Sequence, residues 1–167
     1  MLVLFSIVEY NNQNRKGETN MTIRKLQKKD FEKVLSMMQV FYASDAMLIH
    51  PEEAVLRKTL ADALSDTPYL EGFGFEETGV LVGYGMVAMS YSTEAGGQCA
   101  WIEDIYIEPE HRGKGYGTGF LDFVKQRYAG KVTRIRLEAE PENKRAMAVY
   151  QKAGYEILGY TQLVCEL

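Results

Sequence analysis

The sequence predicts an α+β fold, a mixed sheet of about seven strands with about four helices packed on it, in a chain of 167 residues. Three observations carry that expectation. Apolar residues recur at helical spacing both before residue 65 and after residue 115, while strand-like segments joined by turn signals follow one another from Tyr69 to Glu108. Between Gln98 and Ala139 a strand, a glycine-dense turn, a helix and a further strand succeed one another, the order of a right-handed parallel crossover.

Met1 to Tyr10 is an apolar decamer followed by a polar run to Asn20, and the two form an extension to a single domain over residues 21–167. The decamer lacks the leading basic segment and small-residue cleavage site of a signal peptide, and it is too short for a membrane span of about 20 apolar residues. An edge strand, a partner contact or a start preceding Met21 all fit it.

Thr22 to Leu26 reads as a short strand. Asp30 is placed to cap a helix carrying Phe31, Val34, Leu35, Met38 and Phe41, and Pro51 to begin a second one carrying Val55, Leu56, Leu60 and Leu64. Tyr69 to Glu76 and Val80 to Tyr91 are strands joined by the turn signal Glu76-Glu77-Thr78-Gly79, and Gln98 to Glu108 closes an antiparallel meander. Simple alternation along this last strand puts Trp101, Glu103, Ile105 and Ile107 on one face and Ile102, Asp104 and Tyr106 on the other. A helix from Gly115 to Tyr128, a strand from Val132 to Ala139 and a helix begun by Pro141 and ended by Gly154 follow. Tyr155 to Gly159 and Thr161 to Glu166 complete the count as a terminal strand pair.

Glycine stands at every second position from Gly113 to Gly119, across the turn and into the helix after it. Each glycine inside a helix costs roughly 1 kcal/mol against alanine, so packing alone does not account for the run. Close approach of an anion to the unpaired N–H groups of a helix start does, since the helix dipole favours negative charge there. The spacing is neither GxxxxGK followed by Ser or Thr, because Gly115 follows Lys114, nor GxGxxG.

Composition narrows the field. With 46% hydrophobic and 25% charged residues the chain falls in the soluble globular range, and a formal net charge of −4 argues against nucleic acid as the main partner. Cys99 and Cys165 show no CxxC spacing, which favours two buried thiols in a reducing cytoplasm. His50 and His111 lack the clustered ligands of a metal site, so no metal is expected. Neither a membrane nor a nucleic-acid partner is expected, and the apolar decamer and terminal strands offer surfaces on which two copies could form a homodimer.

The pattern Arg112-x-x-Gly115-x-Gly117, placed after Ile105-Tyr106-Ile107-Glu108-Pro109, resembles motif A of the GNAT superfamily of acetyl-CoA-dependent N-acyltransferases. Asn143 to Tyr155 looks like the motif B helix of the same family, and the resemblance runs from Met21 to Leu167. It implies that acetyl-CoA is the cosubstrate and that the backbone of Arg112, Gly113, Lys114, Gly115, Tyr116, Gly117 and Thr118 holds its pyrophosphate. It also implies that Ile105, Tyr106 and Ile107 bind the pantetheine arm and polarise the acetyl carbonyl. Asn143 would contact pantetheine, and Tyr150 would sit near the thioester sulfur and protonate the leaving thiolate, a role suited to a phenol that keeps its proton at neutral pH.

Glu103-Asp104 resembles the acidic pair of spermidine/spermine N-acetyltransferases, and Glu103 is the first choice of base for the acceptor ammonium, with Asp104 or a water as the alternatives. The resemblance departs at Tyr116, where an aliphatic residue is more usual, and at Gly119. The expected activity is a cytoplasmic N-acetyltransferase in which a small amine or polyamine, or next a protein N-terminus or lysine, attacks the thioester directly in a ternary complex. The rival is a noncatalytic acyl-CoA sensor on the same fold.

Overall fold

The alternating segments pair into one six-stranded sheet whose strand order follows the sequence. The computed structural model describes residues 10–11, 21–44 and 47–166. Its strands are β1 (Tyr10–Asn11), β2 (Met21–Lys25), β3 (Leu70–Glu77), β4 (Val80–Ser92), β5 (Gly97–Ile107) and β6 (Arg134–Leu137). Its α-helices are α1 (Phe31–Tyr42), α2 (Glu53–Ala63), α3 (Tyr116–Tyr128) and α4 (Lys144–Lys152). Neighbours from β1 to β5 run antiparallel and β5 pairs parallel with β6, giving the expected mixed sheet.

Of the N-terminal extension, Tyr10 and Asn11 pair with Ile23 and Thr22 as an edge strand; its other residues lie outside the described ones. Thr78 and Gly79, both at positive φ, form the two-residue hairpin turn between Glu77 and Val80.

The sheet separates two apolar layers. On one face Ile23, Phe73, Phe75, Val87 and Ile102 meet Phe120, Leu121, Phe123 and Val124 of α3, with Val149 and Tyr150 of α4 packed at the margin. On the other, Tyr84, Met86 and Tyr106 meet Val34, Leu35, Met37 and Met38 of α1 and Leu56 and Leu60 of α2. The Phe120 ring lies so close to the β4 backbone that a Cβ on Gly85 would stand 2.4 Å from its Cζ, and only glycine leaves that room. Two partly buried charge networks tie helices to the sheet: Arg24 bonds Asp30 at 2.7 Å and Glu76 at 2.6 Å, and Glu71 accepts from Arg127 at 2.7 Å.

Several expectations are corrected. α2 begins at Glu53 after Glu52 and α4 begins at Lys144 after Asn143, so Pro51 and Pro141 stand outside the helices they were expected to open. Asp30 ends a 3-10 turn, and its carboxylate takes the Gln27 N–H and the Arg24 guanidinium in place of the N-terminus of α1. Residues 155–166 form no strand, which removes the expected terminal pair; with β1 added, the described residues form six strands where about seven were expected. That tail is held by side chains, through Tyr160 to Glu94 and Gln162 to Glu138. Ile157, Leu163 and Val164 stay exposed, with no core face to fix a pairing register. Cys99 is buried as expected, and Cys165 is exposed.

The correction that matters most for the site is in β5. Its register against β4 steps from Met86–Asp104 to Val87–Ile102, leaving Glu103 as the extra residue of a bulge. The bulge reverses the alternation, so Ile102 shares the α3 face with Ile105 and Ile107 while Tyr106 packs among the residues of the α1 and α2 layer.

Candidate active site

Pairing between β5 and β6 stops at Ile102–Leu137, one residue before the bulge. Beyond that point β5 runs on to Ile107 with no strand on its β6 side among the described residues. The parting opens a cavity of about 1520 Å³ lined from both layers, by Phe41, Tyr42 and Met47–Ile49 on one side and by Asn143, Met147 and Tyr150 of α4 on the other. Glu103, Asp104 and Ile105 form its β5 wall.

The two carboxylates of that wall lie in different environments. Asp104 is 3% exposed, and its oxygens accept from the Tyr42 hydroxyl at 2.8 Å and the Tyr84 hydroxyl at 3.1 Å. Burial pushes its carboxyl up to about 6 in spite of the two phenols that favour the anion. Glu103 faces the open cavity without a hydrogen-bond partner among the described residues. Desolvation by the walls, then the charges of Asp104 and Glu138, push its carboxyl above the usual range.

Tyr150, from α4, also lines the cavity; it is half-buried, with its ring edge-on to Tyr155 at 6.4 Å, and burial raises its hydroxyl. Asn143, Met147 and Tyr150 all reach the cavity, as helical spacing predicts. Asn143 also caps α4, its Oδ1 accepting the Ala146 N–H at 3.1 Å, so the side chain is fixed by its own helix.

The glycine turn lies outside the cavity lining. Gly113 and Gly115 take φ of 81° and 88°, left-handed values that glycine adopts without strain, and this bends the chain into α3. Gly119 N–H closes the first intrahelical bond, to Gly115. Among the described residues the N–H groups of residues 113–118 have no hydrogen-bond partner in the protein. Such an array of donors at a helix start fits a diphosphate, which brings several acceptor oxygens at once.

The basic side chains of the turn are engaged elsewhere. Arg112 Nε donates to the Ile107 carbonyl at 2.8 Å and its guanidinium lies over the Tyr106 ring, while Lys114 Nζ donates to both oxygens of Glu77, at 2.9 and 3.0 Å. Tyr116 buries its ring against the sheet with its hydroxyl beside Glu77, outside hydrogen-bonding geometry. Thr118 and Gly117 are half-buried on the first turn of α3. Ile107 borders Gly117, whereas the Tyr106 side chain turns away toward Tyr84 and Phe41.

Three features were not foreseen: the bulge at Glu103, the tyrosine pair on Asp104 and the ligand atoms of Glu108, Glu110 and His111 that lie within 4.8 Å of one another. The last corrects the expectation that His111 has no carboxylate neighbours. His111 Nδ1 already meets Glu77 at 2.6 Å, and Glu108 pairs with Lys33. The glycines Gly83 and Gly85, facing β5 across the ladder, were the available signal of a close approach.

The chain belongs to the acetyltransferase (GNAT) family, whose model matches residues 25–155. It is similar to the thialysine N-epsilon-acetyltransferase of Bos taurus, 35% identical over 107 residues that cover 59% of this chain and 62% of the relative. The Mus musculus thialysine N-epsilon-acetyltransferase is 27% identical over 145 residues, covering 81% of this chain and 84% of that one. An aminoglycoside N-acetyltransferase solved in complex with CoA superposes with a TM-score of 0.73 at 17% identity, over 92% of this chain and 99% of that one, a likeness of fold.

Proposed function

We propose that this chain transfers the acetyl group of acetyl-CoA to a primary amine by direct attack within a ternary complex. The observation that carries the proposal is the one cavity whose lining holds both Glu103, from a bulged strand, and Tyr150, from α4. The unpaired N–H groups of residues 113–118 suit the pyrophosphate of the donor.

In this reading Glu103, poised above the usual carboxylate range, takes the proton of the acceptor ammonium. The freed nitrogen attacks the thioester carbonyl and the C–N bond forms. N–H groups of β5 near Ile105 and Ile107, beyond the last pairing with β6, stabilise the oxyanion. The C–S bond then breaks and the departing thiolate takes the proton that burial keeps on the Tyr150 phenol, while the nitrogen sheds its second proton as the amide forms and so restores the phenol through solvent. Asp104 is excluded as the base in this scheme, because both of its oxygens are occupied by phenols.

Glu103, Glu138 and Glu140 favour a cationic acceptor, and Leu48, Ile49, Trp101 and Met147 favour an aliphatic stretch behind its amine. Together with the activity named for the bovine and mouse relatives, these residues support a small amine, a polyamine or an amino acid with a distal amine, and next a protein N-terminus or lysine. The acidic pair Glu103-Asp104 is part of this reading, one carboxylate as base and the other as the anchor of the wall.

A thiol-release screen with acetyl-CoA against polyamines, lysine analogues, aminoglycosides and peptide N-termini tests the proposal. Tyr150→Phe is expected to lower kcat about tenfold or more with CoA affinity retained. Equal turnover by this variant removes Tyr150 from the mechanism. CoA binding with no transfer to any amine would favour the noncatalytic sensor.

A further inference from the structure

Arg145 stands on the first turn of α4, exposed, and its side chain has no hydrogen bond or ion pair to any described residue. A Cβ built on Gly113 would lie 3.7 Å from its Nη2. The guanidinium therefore hangs at the edge of the turn whose N–H groups are unpaired, although it belongs to the helix across the cleft.

The two cations nearest to the turn in sequence are not in a comparable position. Arg112 is fixed on the Ile107 carbonyl and over the Tyr106 ring, and Lys114 is neutralised by Glu77. Backbone N–H groups alone leave a dianionic diphosphate short of compensating charge. Arginine is the side chain suited to supply it, since its planar fork donates two parallel hydrogen bonds to phosphate oxygens.

We infer that Arg145 is a donor-binding residue that grips the diphosphate of CoA from α4, closing over the N–H cradle supplied by α3. This rests on the reading of the turn as the CoA pyrophosphate site and adds to it a residue outside the glycine motif. It also links the two halves of the donor site, because Arg145 and Tyr150 ride on the same nine-residue helix.

The test compares Kd for CoA and for pantetheine, which has the same thiol arm without the diphosphate, in wild type, Arg145→Ala and Arg145→Lys at low and high salt. Arg145→Ala is expected to weaken CoA about 10- to 100-fold, to leave pantetheine unchanged and to flatten the salt dependence of CoA binding, with Arg145→Lys between the two. Unchanged CoA affinity in Arg145→Ala overturns the inference. So does an equal loss for CoA and pantetheine, which would mean that the arginine acts through the helix and not through the diphosphate. A wild-type chain that binds no CoA sinks the pyrophosphate reading itself, a result distinct from either of these.

Discussion

The glycine turn and the β5 wall of the cavity are built on opposite plans. From Gly113 to Thr118 the unpartnered polar groups are backbone N–H donors, set by two left-handed glycines within a few residues of one another. Around Glu103 the polar groups are side chains, and their state depends on burial and on residues far away in the chain: Tyr42 and Tyr84 bond Asp104, while burial, then Asp104 and Glu138, raise Glu103. Backbone recognition tolerates many side chains and demands one conformation. The wall tolerates little change in side-chain chemistry and has its conformation imposed by a bulge.

The sharpest way to break the comparison is at Gly115. Gly115→Val puts a β-branched residue at φ 88°, where even an ordinary L-residue is strained by about 1–2 kcal/mol, and crowds the donors. CoA affinity should fall more than a hundredfold, read as Kd by calorimetry, with the fold retained in far-UV circular dichroism. If CoA still binds as in wild type, the cradle is not the donor site.

At the wall, Glu103→Gln should lower kcat about a hundredfold with little change in CoA affinity, the reverse of the Gly115 pattern. In wild type, kcat should rise with pH as the raised Glu103 carboxyl loses its proton, and this acid limb should be missing in the variant. A surviving limb assigns the base elsewhere.

The smallest effect is on stability. Because burial raises Asp104 in the folded chain to about 6 from an ordinary carboxyl value, the folded state holds more protons than the unfolded one between roughly pH 4 and 6. Stability should therefore fall across that window as pH rises, by at most about 3 kcal/mol, and stay lower above it. Asp104→Asn should flatten this slope, followed as the urea midpoint from pH 4 to 7. An unchanged slope would mean that Asp104 ionises in the folded chain as it does in the unfolded one.

The same contrast explains what could be read in advance. The glycine turn, the hairpin at Thr78-Gly79 and the apolar stripes of α1 and α3 each arise from residues within a turn or two of one another, where local conformational preference dominates. The motif helix likewise brings Asn143 and Tyr150 to one face because helical period is a local property. Alternation along β5 failed at Glu103, since one inserted residue flips every side chain beyond it and only the pairing with β4 reveals the insertion. The terminal strands failed for a related reason. Alternation makes a strand possible, and a ladder partner with a buried face makes it form, which Ile157, Leu163 and Val164 do not have.

By itself, then, the sequence determined most of the strands and helices from Met21 onward and the glycine turn, all of which rest on preferences within a few neighbouring residues. Only the tertiary structure decided which carboxylate is left without a hydrogen-bond partner among the described residues. The bulge presents Glu103 to the cavity, and the packing of α1 and β4 brings Tyr42 and Tyr84 onto Asp104. It also decided that Arg145, and not Lys114, stands unpaired beside the turn. Charges compete for partners across the whole surface, and the winner is set by distances that no stretch of sequence contains.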